Sequence, residues 1–169
     1  MPSNSGYKFP ILNSDGTYSS TVVDMGDMFV RKELFLTAGL YGWGNNGYGA
    51  LGNGTIVAYS SPIQVGALTN WKQIAAGNEL TSATKTDGTL WAWGLNSSGQ
   101  LGNGNIINYS SPVQIGSLTN WKQVACGRLH TIAIKTDGTL WSCGYNSKGQ
   151  LGNGTTNIHY SSPVQVGSL

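Results

Sequence analysis

Lys85-Thr86-Asp87-Gly88-Thr89-Leu90-Trp91-Ala92-Trp93-Gly94 returns 50 residues later as Lys135-Thr136-Asp137-Gly138-Thr139-Leu140-Trp141-Ser142-Cys143-Gly144. A more divergent copy of its second half, Leu40-Tyr41-Gly42-Trp43-Gly44, stands 50 residues earlier. Each copy runs on into a glycine-rich stretch: Gly49-Ala50-Leu51-Gly52-Asn53-Gly54, Gly99-Gln100-Leu101-Gly102-Asn103-Gly104 and Gly149-Gln150-Leu151-Gly152-Asn153-Gly154. Tyr-Ser-Ser-Pro follows at Tyr59, Tyr109 and Tyr160. The last is displaced by one residue, so the third copy carries an insertion between Gly154 and Tyr160, which marks a surface loop where length changes are tolerated. Asn70-Trp71-Lys72-Gln73 through Gly77 likewise pairs with Asn120-Trp121-Lys122-Gln123 through Gly127.

A fixed period of about 50 residues is the signature of a repeat architecture. Within one unit, Thr131-Ile132-Ala133-Ile134-Lys135 alternates as a strand, Asp137-Gly138 is a favoured hairpin turn, and Thr139 to Cys143 is the return strand. Pro112 to Ile115 and Trp121 to Ala125 make two more short strands, joined by a polar turn at Gly116 to Asn120. Four short antiparallel strands per unit predict an all-β fold of propeller blades. No stretch has sustained helical spacing with caps, and β-helix repeats are usually shorter.

The recurring residues have mechanical explanations. Trp71 and Trp121 are expected between adjacent sheets, while Trp43 and Trp93 share a position that Cys143 fills in the third copy. Gly44, Gly94 and Gly144 follow the central strand and allow a bulge or the close approach of a neighbouring blade. Asn53, Asn103 and Asn153, each between two glycines, close tight turns by side-chain-to-backbone hydrogen bonds, and Asp87 and Asp137 are turn residues. Variable positions are better candidates for contact: Asn78, Glu79 and Leu80 become Arg128, Leu129 and His130, and Tyr48 becomes Ser98 and Lys148.

Composition narrows the function classes. Charged residues make up 9% of the 169, against about 25% in an ordinary domain, and the net charge is only +2. Aromatics are plentiful, with six Trp and eight Tyr, so the chain reads as folded rather than disordered. No basic cluster exceeds Arg31-Lys32, which argues against nucleic acid. No apolar run reaches the roughly 18 residues of a membrane span, and Met1 to Gly6 shows no secretory signal, which fits a cytoplasmic product or one assembled into a particle inside a cell. Cys126 and Cys143 stand at non-equivalent places in the repeat and read as buried free thiols.

No catalytic apparatus, metal site or cofactor site is visible. Seven carboxylates are present, and Asp24 with Asp27 is too few oxygen ligands for calcium. The glycine runs lack the Lys and Ser/Thr of a phosphate-binding loop. His130 and His159 have no repeated Ser or Cys partner.

Residues 1–36 do not repeat and are expected to form an extended N-terminal arm, with residues 37–169 forming repeats that start near 40, 90 and 140. The last repeat is incomplete, since Gly167-Ser168-Leu169 falls where Asn-Trp-Lys is due; a longer protein, or several chains sharing one ring, would account for that. Glu33 to Leu36 fills the slot of Ala133 to Thr136 and is expected to supply the first strand beside Leu40. Met25, Met28, Phe29, Leu34 and Phe35 either pack under the first blade or dock the arm on another subunit.

The run Asp-Gly-Thr-Leu-Trp, Trp-Gly, Gly-Gln-Leu-Gly-Asn-Gly and Ser-Ser-Pro-Val-Gln resembles the regulator of chromosome condensation repeat over residues 40–169. The resemblance implies seven-bladed propellers of about 50 residues per blade, some of which are guanine-nucleotide exchange factors for a small GTPase and bind chromatin. The repeat also occurs in bacterial and viral proteins without that role, and no exchange-site motif is present here to carry over. The polar-then-apolar leader followed by these repeats looks like virion structural proteins of tailed phages. The expected function is a non-enzymatic structural protein, a phage virion component acting with other protein subunits in a multi-subunit assembly. The alternatives are a regulatory binding module such as an exchange factor, and an adhesin for a host surface glycan.

Overall fold

The computed structural model describes residues 39–167 in full and, before them, the backbone of two strands at residues 22–25 and 28–33. Among the described residues, twelve strands form three four-stranded antiparallel sheets, each a simple up-and-down meander. The first holds β1 (Val22–Met25), β2 (Met28–Glu33), β3 (Gly39–Gly44) and β4 (Tyr59–Gln64). The second holds β5 (Trp71–Ala76), β6 (Leu80–Lys85), β7 (Leu90–Gly94) and β8 (Tyr109–Gln114). The third holds β9 (Trp121–Cys126), β10 (His130–Lys135), β11 (Leu140–Gly144) and β12 (Tyr160–Gln165). The fold is all-β, and its sheets are the expected blades of an incomplete ring.

The sheet and the sequence repeat are out of phase. The Ile115 amide continues β8 by bonding the Leu90 carbonyl of β7, whereas β9 pairs with β10. The turn at Gly116 to Asn120 therefore links two sheets and is not a hairpin within one, which corrects the sequence reading. A repeat counted from residue 40 supplies the last two strands of one sheet and the first two of the next. The strand beside Leu40 is also earlier than expected: Lys32 pairs with Leu40 and Met28 with Gly44, whereas Ile134 pairs with Leu140 and His130 with Gly144. The first hairpin is thus two residues longer than its counterparts, and the strand is Met28–Glu33 rather than Glu33 to Leu36. Residues 34–38, with Leu34 and Phe35, lie outside the described residues, as do the side chains of Met25, Met28 and Phe29.

Alternation along each strand sends residues to opposite faces, and here both faces are wanted. One apolar core lies between the first and second sheets, where Leu40, Leu51 and Val65 meet Trp71, Ala83 and Trp93. A second lies between the second and third, where Leu80, Leu90, Leu101 and Ile115 meet Trp121, Val124 and Ala133. Trp71 sits edge-on to Trp91 with ring centroids 6.0 Å apart, and Trp121 repeats the arrangement with Trp141 at 6.2 Å. The Lys85 ammonium lies 3.5 Å from the Trp91 ring centroid, and Lys135 lies 3.7 Å from that of Trp141. A cation held over desolvated indoles gains about 1–2 kcal/mol, which offsets part of the cost of burying it. That cost shows in Lys85, whose pKa burial lowers and nearby Asp87 partly restores.

Two equivalent turn glycines separate strain from contact. Gly88 and Gly138 both adopt positive φ, 80° and 84°. A Cβ on Gly88 would lie 1.9 Å from the Thr119 carbonyl oxygen of the inter-sheet link, whereas one on Gly138 meets nothing within 4 Å. Gly138→Ala should cost about 1–2 kcal/mol from the left-handed backbone alone, and Gly88→Ala several times more in urea unfolding. Equal losses would show that the link does not press on the second sheet.

Candidate functional site

The long loops 45–58, 95–108 and 145–159 all leave the same end of their sheets, together with the short turns 77–79 and 127–129. At this rim each loop is organised by one buried asparagine: Asn46, Asn96 and Asn146 are 0–1% exposed. The Asn96 carboxamide nitrogen donates to the carbonyls of Asn105 and Ile107 at 3.0 Å each, and its oxygen accepts the Leu101 amide at 3.0 Å. Asn46 does the same with Thr55, Val57 and Leu51. Asn146 repeats the bonds to Thr155 and Leu151. These asparagines recur every 50 residues in the sequence, but nothing there distinguishes them from ordinary loop amides.

The turn asparagines form a second tier. Asn53 Oδ1 accepts from the Asn46 side chain and from both the amide and hydroxyl of Thr55. Asn103 accepts from Asn96 and from the Asn105 amide, and Asn153 from Thr155. With three anchor points tied to one side chain in the first two loops, and two in the third, each loop is held at its base and flank by its asparagine.

The same loops carry the joint between sheets. The Ala50 carbonyl accepts the Thr81 hydroxyl at 2.8 Å and the Trp93 indole N–H at 2.8 Å, both from the next sheet. The Gln100 carbonyl accepts the Thr131 hydroxyl at 2.7 Å and, where Trp93 is replaced, the Cys143 thiol at 3.7 Å. Gly54 and Gly104 donate to the Ser110 and Ser161 carbonyls of the following sheet, each at 2.7 Å. The approach is so close that a Cβ on Gly49 or Gly99 would fall 2.4 or 2.5 Å from a serine Cα there. Gly94 and Gly144 have positive φ and lie against the Ala50 and Gln100 backbones, while Gly44 ends β3, where the register to β4 shifts. Trp43 pairs in register with Phe29.

Two aspartates and a histidine serve turns and packing. Asp87 accepts the Thr89 hydroxyl at 2.7 Å and its amide at 3.0 Å, and Asp137 makes the same bonds to Thr139. Those donors hold both carboxyls below the usual range. His159 Nδ1 accepts the Asn146 amide, the place taken by Asn108 Oδ1 for Asn96, and its ring stacks on Tyr145 at 4.6 Å. Among the described residues no group of three His, Cys, Asp or Glu could hold a metal ion, and no helix is long and apolar enough to cross a membrane. Of the variable positions, Tyr48 is 42% exposed, but Leu80 is fully buried between the second and third sheets, and His130, its counterpart on the far face of the third sheet, is half-buried. Those two therefore do not decorate the rim.

Stacked four-stranded meanders joined by loop carbonyls define a propeller-type repeat protein. The model of the regulator of chromosome condensation (RCC1) repeat matches residues 38–84, 87–134 and 137–169, and a second RCC1 repeat model matches 71–100 and 121–150. The chain belongs to the RCC1 repeat family. It is similar to the crystal structure of human WBSCR16, with a TM-score of 0.74 and 23% identity over 90% of this chain and 39% of that one. It is also similar to Prp20p from Saccharomyces cerevisiae, reported with its binding properties to Gsp1p and histones, with a TM-score of 0.77 and 19% identity over 89% and 39%. A further match is yeast RCC1 (Prp20) bound by Kap60, at 0.74 and 20% over 96% and 40%. The chain thus spans about two fifths of these structures' length. No curated protein matches the sequence.

Cys126 and Cys143 flank Thr131 in register, so both point into the interface with the second sheet with one strand between them. Two strand spacings are about 9.5 Å, too far for a disulfide. Burial raises the Cys126 thiol to about 11 and the Cys143 thiol to about 12. The folded state therefore keeps both neutral: the contribution to stability is complete below the ordinary thiol pKa of 9.0 and is lost as pH rises toward 11–12. Native protein at pH 8 should leave the buried Cys143 unlabelled by a disulfide reagent and label the half-buried Cys126 only slowly, while urea-unfolded protein labels both at once. Rapid labelling of the native chain would contradict the burial.

Proposed function

We propose that the chain is a non-catalytic protein-binding scaffold whose partners are met by the loop tips at the asparagine-clamped rim. The observation that carries this reading is the Asn46, Asn96 and Asn146 network. It fixes exposed loops in one conformation, so binding loses little conformational entropy on ordering them. The glycine and asparagine framework of each loop is shared, as expected of a repeat scaffold.

The similar structures whose descriptions print partners name proteins: Gsp1p and histones for Prp20p, and Kap60 for yeast RCC1. That favours a regulatory binding module over a virion scaffold, since no virion protein stands among these similar structures. An exchange-factor role is the finer form of this reading and is tested separately, by fluorescent nucleotide release from a purified small GTPase. A rate unchanged by the chain removes that form.

The broader reading is tested with a photo-cross-linking amino acid placed at Ile106 on the rim or at Leu118 on the opposite end of the second sheet. Illumination in cells expressing the full chain should give discrete protein adducts from position 106 and none from 118. Absence of protein adducts from 106, or nucleic acid in their place, would overturn the reading.

A further inference from the structure

The clamped tips carry aliphatic side chains that the fold does not use. Ile56 and Val57 are 65% and 58% exposed, Ile106 and Ile107 65% and 61%, and Ile158 51%. They stand at equivalent places on three successive sheets and so form one row along the rim. Scattered surface aliphatics are ordinary, but exposed aliphatics repeated at one place on each of three successive sheets mark a contact site. The backbone beneath it is fixed, since the Val57 and Ile107 carbonyls are themselves acceptors of the Asn46 and Asn96 clamps.

We propose that this row is a self-association surface, on which a second copy of the chain docks rim to rim about a two-fold axis. The inference rests on reading the rim as a protein contact and names its occupant. Loops 45–58 and 95–108 contain no charged residue, and 145–159 contains only Lys148 with His159. The turns 77–79 and 127–129 on the same rim add Glu79 and Arg128, opposite charges on neighbouring sheets, so two rims meet with little like-charge repulsion. A two-fold contact sets the same aliphatic tips of both copies against one another. Five side chains fall short of the roughly 800 Å² per partner of a standard interface, so the dimer is weak, with dissociation in the micromolar range.

The test is sedimentation velocity of the full chain from low to high micromolar concentration, alone and as the variant I106S/I107S. Wild type should pass from monomer to dimer, and the variant should dissociate at least about tenfold more readily, because two apolar side chains of each copy leave the contact. Leu118→Ser, at the other end of the sheet, should leave the dimer unchanged. The variant's thermal midpoint should match wild type, since the substituted side chains are exposed, so a lost dimer is not a lost fold. A wild type that stays monomeric throughout, or a dimer indifferent to I106S/I107S, overturns the inference. Cross-linking at Ile106 then separates the two readings: adducts only to a different protein sink the self-contact but keep the binding scaffold. Flotation with phosphatidylcholine vesicles that the variant loses assigns the row to lipid and overturns the inference too.

Discussion

One backbone carbonyl, held out by the loop of one sheet and caught by the hydroxyl of the next, sets the spacing of the whole stack. Ala50 presents it to Thr81 and Gln100 presents it to Thr131, at nearly the same length. A carbonyl buried in an apolar interface without a donor would cost about 1–3 kcal/mol, so the sheets cannot slide without forfeiting the bond. The glycines around it follow from that constraint, because the loop backbone must lie directly on the neighbouring strand. A second clasp works at the opposite edge, where the Gln73 carboxamide both donates to and accepts from the Val124 backbone at 3.0 and 3.1 Å. The joint between the second and third sheets is thus pinned at two places, and the apolar residues between need only fill the gap.

Because the polar pins fix the geometry, the filling can vary. Trp93 is fully buried at the first joint, and Cys143 takes its place at the second with a thiol still directed at the same carbonyl. Ser82 and Thr84, buried at the second joint, correspond to Ile132 and Ile134 on the far face of the third sheet. Leu80 corresponds to His130, whose burial lowers its pKa. The apolar content of successive joints therefore differs, which makes the blades non-interchangeable despite their common frame.

The all-β fold was legible because the period, the Asp-Gly turns and the short alternating strands all state the same thing. The phase was not legible, since a repeat has a length but no marked beginning. Only the backbone bond from Ile115 to Leu90 shows that the sheet ends there and that the next five residues cross to a new one. The two-residue offset of β2 was hidden for a related reason: nothing in Glu33 to Leu36 reveals how long its hairpin is. At the rim the sequence singled out Asn53, Asn103 and Asn153, which bond within their turns. It passed over Asn46, Asn96 and Asn146, whose recurrence was equally plain. What distinguishes the latter is burial, and an asparagine carries no sign of burial in a sequence this rich in amides.

The third loop is one residue longer than the other two, yet its glycines and the clamp bonds to Thr155 and Leu151 keep their places, and only the bond to the tip carbonyl is given up. The extra residue is absorbed next to Asn157, which takes φ 63°, and the Asn157 amide is tied back to the Asn146 carbonyl at 2.8 Å. The fixed ends and the adjustable middle make this segment a natural graft point. A foreign peptide spliced between Thr155 and Ile158 would be carried on an unaltered frame, and three such segments side by side would display three peptides in a set order.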